Sequence, residues 1–335
     1  MRKAELTVEA FVDGILCRDR VIIGRAITLI ESKRPQDNHK ALEIIERILP
    51  HTGSSIRIGI TGVPGVGKST FIEALGTIIT DEGHRLAVLA VDPTSSISRG
   101  SIMGDKTRMH KLACNPHAYI RPSPSAGSLG GVAYKTREAM LVCEAAGFDV
   151  VFVETVGVGQ SETIVSSMVD FFLLLVLAGA GDHLQGIKRG IMELADAVAI
   201  TKADGRNRLD AERARVEYEQ ALHLLRPPVP GWSPSVVTCS ARTNEGIREI
   251  WALIREFEKL TKSNGSFQQK RNEQMQAWMY ETIRDSLFDR FRSHPAVSSA
   301  IPAMEARVIE GKIPPITAAQ KLLNLFSGKK TDKPA

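Results

Sequence analysis

The spacing of apolar positions divides the chain into three stretches. In the first, Leu42, Ile45, Ile48 and Leu49 recur every three or four positions with Glu43, Glu46 and Arg47 between them, the stripe of an amphipathic helix. The pattern predicts two helical segments, 7–30 and 35–49, before Pro50 and the run His51-Thr-Gly-Ser-Ser55 break it. The second stretch, 56–256, alternates short apolar runs with helical periods, and strands are predicted near 57–61, 85–91, 118–121, 150–154, 171–177, 197–201 and 236–239. These runs are continuously apolar, as parallel strands buried on both faces are. The fold class expected is therefore α/β, a mainly parallel sheet flanked by helices with its ligand at the carboxyl ends of the strands. The third stretch is helical: a closing helix over 246–260, a turn at Ser263-Asn-Gly265, and a long helix over 267–291 carrying Met275, Trp278, Met279, Ile283 and Leu287. Shorter helices are predicted around 303–309 and 317–326. The organisation predicted is an N-terminal helical extension (1–54), an α/β domain (55–262), a C-terminal helical arm (263–326) and a frayed tail (327–335). The extension either packs on the α/β domain or contacts a partner. The arm either folds back or pairs with a second copy as a homodimer.

Composition narrows the class. At 335 residues the chain can bury a substantial core, and 24% charged with 43% hydrophobic residues is the balance of a soluble globular protein. Lys and Arg exceed Asp and Glu by only 43 − 38 = +5, with no long lysine-rich block, so a nucleic-acid partner is not predicted. Cys17, Cys114, Cys143 and Cys239 show neither metal-site spacing nor a disulfide framework, and the eight histidines form no ligand cluster. The start Met1-Arg-Lys-Ala-Glu-Leu6 lacks the apolar region of a secretory signal, and the strongest apolar run, 171–178, is too short to span a bilayer. A cytoplasmic protein with no membrane partner is expected.

The chemistry begins where the first strand of the α/β domain ends. Gly62-Val63-Pro64-Gly65-Val66-Gly67-Lys68-Ser69-Thr70 lies between a predicted strand and a predicted helix, the setting a P-loop requires. Its glycines let amide N–H groups surround a phosphate, and the helix start adds more unpaired N–H groups. Lys68 can reach the β- and γ-phosphates, and Ser69 can ligate Mg²⁺. A bound nucleoside triphosphate follows, but neither its base nor its purpose. Later strand ends carry acidic residues suited to the metal or to an attacking water: Asp92 after the second strand, Asp105 in Gly104-Asp-Lys-Thr-Arg108, and Glu154 in Val151-Phe-Val-Glu-Thr-Val-Gly157. Gly157 can bring a backbone N–H to the γ-phosphate, whose loss would release the loop. A glycine-rich stretch, Leu177-Ala-Gly-Ala-Gly-Asp-His-Leu-Gln-Gly-Ile-Lys188, can change with the nucleotide, and its Lys188 can reach across the site. Lys68, Asp92, Asp105, Glu154 and Lys188 are the candidate catalytic set.

Base identity rests on Thr201-Lys202-Ala203-Asp204 and on Ser240-Ala241-Arg242. The Asp204 carboxylate can accept from guanine N1 and N2, a donor pair that adenine lacks. The Lys202 stem can lie over the base, and a backbone N–H near Ala241 can donate to guanine O6.

Taken together, these motifs resemble the MeaB/ArgK family of P-loop GTPases over nearly the whole chain. The likeness includes Ala90-Val-Asp-Pro-Thr-Ser95, Gly104-Asp-Lys-Thr-Arg-Met109, Glu154-Thr-Val-Gly-Val-Gly-Gln-Ser161 and His294-Pro-Ala-Val297. The Glu154 element stands where most small GTPases have an Asp-centred one. The resemblance implies a P-loop NTPase fold of the metallochaperone and signal-recognition GTPase class, a homodimer, and GTP or GDP held with Mg²⁺ by Ser69, Asp92, Asp105 and Glu154. It implies chaperone work on adenosylcobalamin-dependent methylmalonyl-CoA mutase, gating cofactor delivery from an adenosyltransferase. Gln160, Asp182, Gln185 and Lys188 take the switch and partner-coupling positions. Thr201 departs from the usual Asn, and a hydroxyl replaces only part of an amide's hydrogen bonding. Val158 stands where Ras-like enzymes keep a water-orienting glutamine, so slow intrinsic hydrolysis is expected. Two alternatives stay open: a kinase acting on a transport component, and a nickel-insertion GTPase, although the histidine- or cysteine-rich segments usual in the latter are absent.

Overall fold

The computed structural model describes residues 6–32, 34–91, 109–121, 129–155, 161–178, 189–225, 227 and 229–328. In chain order the elements are α1 (Val8–Leu16), α2 (Arg20–Glu31), α3 (Pro35–Ile48), β1 (Ile56–Gly62), α4 (Lys68–Asp81), β2 (Leu86–Val91), α5 (His110–Cys114), β3 (Ala118–Arg121) and α6 (Leu129–Ala145). They continue with β4 (Val150–Thr155), α7 (Ser161–Ser166), β5 (Phe171–Leu177), α8 (Arg189–Met192), β6 (Ala197–Thr201), α9 (Arg208–His223), β7 (Ser235–Thr238), α10 (Ile247–Ser263), α11 (Ser266–Ser293), α12 (Pro295–Ile309) and α13 (Pro315–Phe326). The chain forms two compact units, Met1–Gln274 and Met275–Ala335.

In the first unit a seven-stranded sheet has the order β3-β2-β4-β1-β5-β6-β7, and every adjacent pair is parallel. The chain leaves the central β1 for one half of the sheet and returns from β4 to β5 for the other. This change of direction opens a crevice at the carboxyl ends. Strand side chains alternate between two cores: Val151, Val153 and Phe172 face α1, α2, α3 and α6, while Ile58, Ile60, Phe152 and Leu173 face α4 and α10. Gly59 has no room for a side chain, because a Cβ there would lie 2.8 Å from Phe172.

The predicted strands form close to the expected bounds, and two helical expectations need correction. The segment 7–30 is two helices. Arg18 turns into the left-handed region at φ 64, and the Asp19 carboxylate accepts from Val21 N and Ile22 N as the cap of α2. The reversal seats Ile22 on Gly14, where a Cβ would be 2.6 Å away. The helix expected around 303–309 begins at Pro295 and carries Pro302 inside it. Proline at the first helical position costs no hydrogen bond, whereas Pro302 lacks the N–H that would bond one turn back.

The amino ends of the strands carry a buried charge network. Arg57 pairs with Glu144 at 2.7 Å, and Glu144 also accepts from Ser55 Oγ and Gly53 N. Burial alone would raise the Glu144 pKa, but Arg57 and these donors hold it below the usual carboxylate range. Asp170, just before β5, accepts from Arg57 N and from two guanidinium nitrogens of Arg271, at 2.7 and 2.8 Å. The same guanidinium donates to Gly53 O and Ser55 O, so the first turns of α11 belong to this unit.

Asp196, next to this network, accepts from Phe172 N and lies 3.9 Å from Lys270. Burial pushes its pKa up to about 6 from 3.8, against Lys270 and with Asp170 adding to the push. A carboxyl raised on folding contributes stability below its unfolded pKa, and that contribution is lost as pH rises through the folded value. Asp196→Asn, which keeps an oxygen for Phe172 N, should therefore gain stability relative to the parent by roughly 2–3 kcal/mol between about pH 4 and about pH 7. Urea unfolding of both proteins at the two pH values measures this; a constant difference between them refutes it.

The second unit is helical. Phe326 stacks edge-on against Phe291 and His294, each with ring centroids 5.5 Å away, and Val297, Ile313 and Ala318 are buried. Met275, Met279, Ile283 and Leu287 recur every fourth residue of α11 and are exposed, as are Tyr280 and Phe288. Among the described residues no helix is long and apolar enough to cross a membrane.

Candidate functional site

The sequence folds the phosphate loop around one apolar plug. Val66 is 1% exposed and packs into the core beneath the loop, while Pro64 and Gly65 point outward. Gly62 lies so close to β5 that a Cβ would stand 2.5 Å from Leu175 O, and Gly65 and Gly67 take φ of 82° and 97°. Gly67 O accepts from Phe71 N, which starts α4 with its first N–H groups directed at the loop. Beneath the loop, the hydroxyls of Thr61 and Thr155 join β1 to β4 at 2.8 Å.

The Lys68 ammonium folds over this loop and donates to Gly62 O at 2.7 Å and Val63 O at 3.3 Å. Burial lowers its pKa, and the negative charges of Glu154 and Glu162 oppose that change. Glu154, in register with Ile60 of β1 and Ala90 of β2, is buried with its Oε1 3.5 Å from Ser69 Oγ. A hydroxyl and a carboxylate meeting at a phosphate loop are the hard oxygen donors that Mg²⁺ takes alongside water and phosphate.

The base loops join the phosphate loop directly. Lys202 holds φ 57 and donates to Gly65 O at 2.8 Å, which draws its stem over Gly67. Thr201 Oγ1 donates to Val66 O at 2.9 Å and Val176 O at 3.2 Å. Asp204 accepts from Ser240 Oγ at 2.5 Å, and Ser240 Oγ also accepts from Arg242 N and Thr243 N. Gly246 closes the second loop at φ 73, where a Cβ would fall 2.1 Å from Thr238 O. Thr201 and Lys202 thus touch the phosphate loop that carries Lys68 and Ser69, and Asp204 is joined to the loop of Ser240, Ala241 and Arg242. The exposed Thr70 continues α4.

Asp92, Asp105, Gly157, Gln160, Asp182, Gln185 and Lys188 lie outside the described residues. Glu162, whose buried charge acts on Lys68, was not singled out from sequence. Its spacing from the P-loop carries no signal, since only the placement of α7 after β4 makes them neighbours. The Thr61–Thr155 pair escaped notice for the same reason. Among the described residues no His, Cys, Asp or Glu cluster suits a further metal ion.

The parallel sheet, phosphate loop and paired base loops define a P-loop NTPase of the GTP-binding kind. Residues 23–296 match the family model of the methylmalonyl Co-A mutase-associated GTPase MeaB. The chain is 48% identical to GTPase ArgK of Escherichia coli, over 85% of this chain and 86% of that protein. It is 44% identical to the mitochondrial methylmalonic aciduria type A homolog of Mus musculus, over 98% of this chain and 81% of that one. A crystal structure described as LAO/AO transport system kinase superposes with a TM-score of 0.77 at 37% identity, covering 98% of this chain and 100% of the other. The chain belongs to the MeaB/ArgK family of P-loop GTPases.

Proposed function

We propose that this GTPase is a chaperone for adenosylcobalamin-dependent methylmalonyl-CoA mutase, using GTP hydrolysis to gate cofactor loading from an adenosyltransferase. In this reading Lys68 neutralises the β- and γ-phosphates, Ser69 and Glu154 hold the Mg²⁺ shell together with Asp92 and Asp105, and Lys202 and Asp204 recognise guanine. Gly157, Gln160, Asp182, Gln185 and Lys188 carry the change of nucleotide state to the partner. The observation that carries the nucleotide half is the junction of phosphate and base loops through Lys202 and Gly65. The partner half is supported by the family description and by the mouse relative's name. The exposed row of Met275, Met279, Ile283 and Leu287 suits burial against a second copy of the same helix, which favours a homodimer.

Val158 follows Gly157 where a water-orienting side chain would stand, so intrinsic hydrolysis is slow and the mutase accelerates it. Single-turnover GTP hydrolysis at saturating protein, with and without the mutase, tests this. The expected result is a faster rate with the mutase, and equal rates would overturn the proposal. The description of the solved relative as a kinase motivates one competing reading. Labelled γ-phosphate recovered on a protein acceptor, in place of inorganic phosphate, would favour it.

A further inference from the structure

Thr201 stands in the base motif, yet both of its side-chain bonds run to main-chain carbonyls of neighbouring elements. It is 5% exposed, at the end of β6, and its single hydroxyl proton is shared between Val66 O of the phosphate loop and Val176 O of β5. A threonine hydroxyl has one proton to donate, and here two main-chain carbonyls compete for it. No amide remains to bond a base edge. Discrimination is left to Asp204, which Ser240 orients, and to the N–H groups of the 240–243 loop. The two carbonyls belong to elements that already touch, since Gly62 abuts Leu175 O one residue before Val176. Thr201 thus pins a second point of the phosphate loop to the carboxyl end of β6, where it lies against β5.

We infer that Thr201 is a positioning residue: it latches the phosphate loop to the ends of β6 and β5 and sets affinity for the diphosphate, not preference for the base. The inference rests on the nucleotide site proposed above. Removing the hydroxyl takes the donor from the buried Val66 O and loosens the loop whichever purine is attached.

The test compares GDP, 7-deaza-GDP (which lacks the N7 acceptor a base-facing hydroxyl would use) and xanthosine diphosphate by competition against a fluorescent nucleotide on the full chain. Thr201→Val should weaken GDP and 7-deaza-GDP by the same factor, about tenfold. Their affinity ratio should stay at the parent value. Thr201→Ser, which restores the hydroxyl, should recover the parent affinity. Amide hydrogen exchange at Leu177 and Ala178 should quicken in Thr201→Val only. If that variant does not fold, Thr201→Ala gives the same ratio.

A fall in the GDP preference over 7-deaza-GDP would make Thr201 a base reader and overturn the inference. Unchanged affinities in the hydroxyl-free variants would overturn it too. Asp204→Asn serves as the separate control and should shift preference from GDP toward xanthosine diphosphate. Failure of that shift would count against the base-site reading itself, while the Thr201 comparison still decides the latch.

Discussion

Lys68→Ala should lower single-turnover GTP hydrolysis about 100- to 1,000-fold, with a larger loss of affinity for GTP than for GDP. The ammonium is half-buried and bonded to two loop carbonyls, Gly62 O and Val63 O. Burial pulls its pKa down, but Glu154 and Glu162 restrain the fall and favour the charged form. An incoming γ-phosphate offers the same protons charged acceptors in a site with little water, where each charge-assisted bond is stronger than in solution. The carbonyls hold the side chain close to where charge will develop, so little reorganisation is needed. Alanine removes that cation and leaves the loop backbone in place. A variant retaining more than about a tenth of the parent rate would take Lys68 out of the chemistry.

Arg271→Met should destabilise the first unit by about 3–5 kcal/mol, the range for removing one partner of a buried ion pair. Arg271 is 6% exposed and Asp170 1%, so water cannot substitute for the lost guanidinium. The Asp170 carboxylate keeps only the bond from Arg57 N, while Gly53 O and Ser55 O each lose a donor. Methionine fills much of the volume, which confines the effect to charge and hydrogen bonding. Urea unfolding measures the loss, and adding Asp170→Asn should recover part of it by removing the stranded charge. A loss below about 1 kcal/mol, or no recovery in the double variant, would mean that the pair is exposed in solution.

The sheet was legible because each buried parallel strand is an unbroken apolar run, as in Phe171–Leu177, bounded by polar or glycine-rich turns. The phosphate loop was legible because its chemistry is local, with glycines, lysine and serine contiguous in the chain. The break at Arg18 was not, because apolar spacing continues across it and the only signal is one capping aspartate, Asp19. Arg271 and Asp170 could not be paired by reading, since 101 residues separate them and neither spacing nor composition marks the contact. Thr201 shows a subtler limit. Its motif position suggests a base contact, and only the placement of Val66 and Val176 shows where a hydroxyl there donates its proton.

The Arg271–Asp170 contact also orders events during synthesis. Every described loop of the nucleotide site is complete by Gly246, yet the guanidinium that Asp170 receives comes 271 − 246 = 25 residues later, at Arg271. At ~5–20 residues per second the delay is roughly 1–5 s. A nascent chain therefore holds a finished nucleotide pocket at one end of its sheet and an unneutralised carboxylate at the other, and the root of α11 completes the unit last.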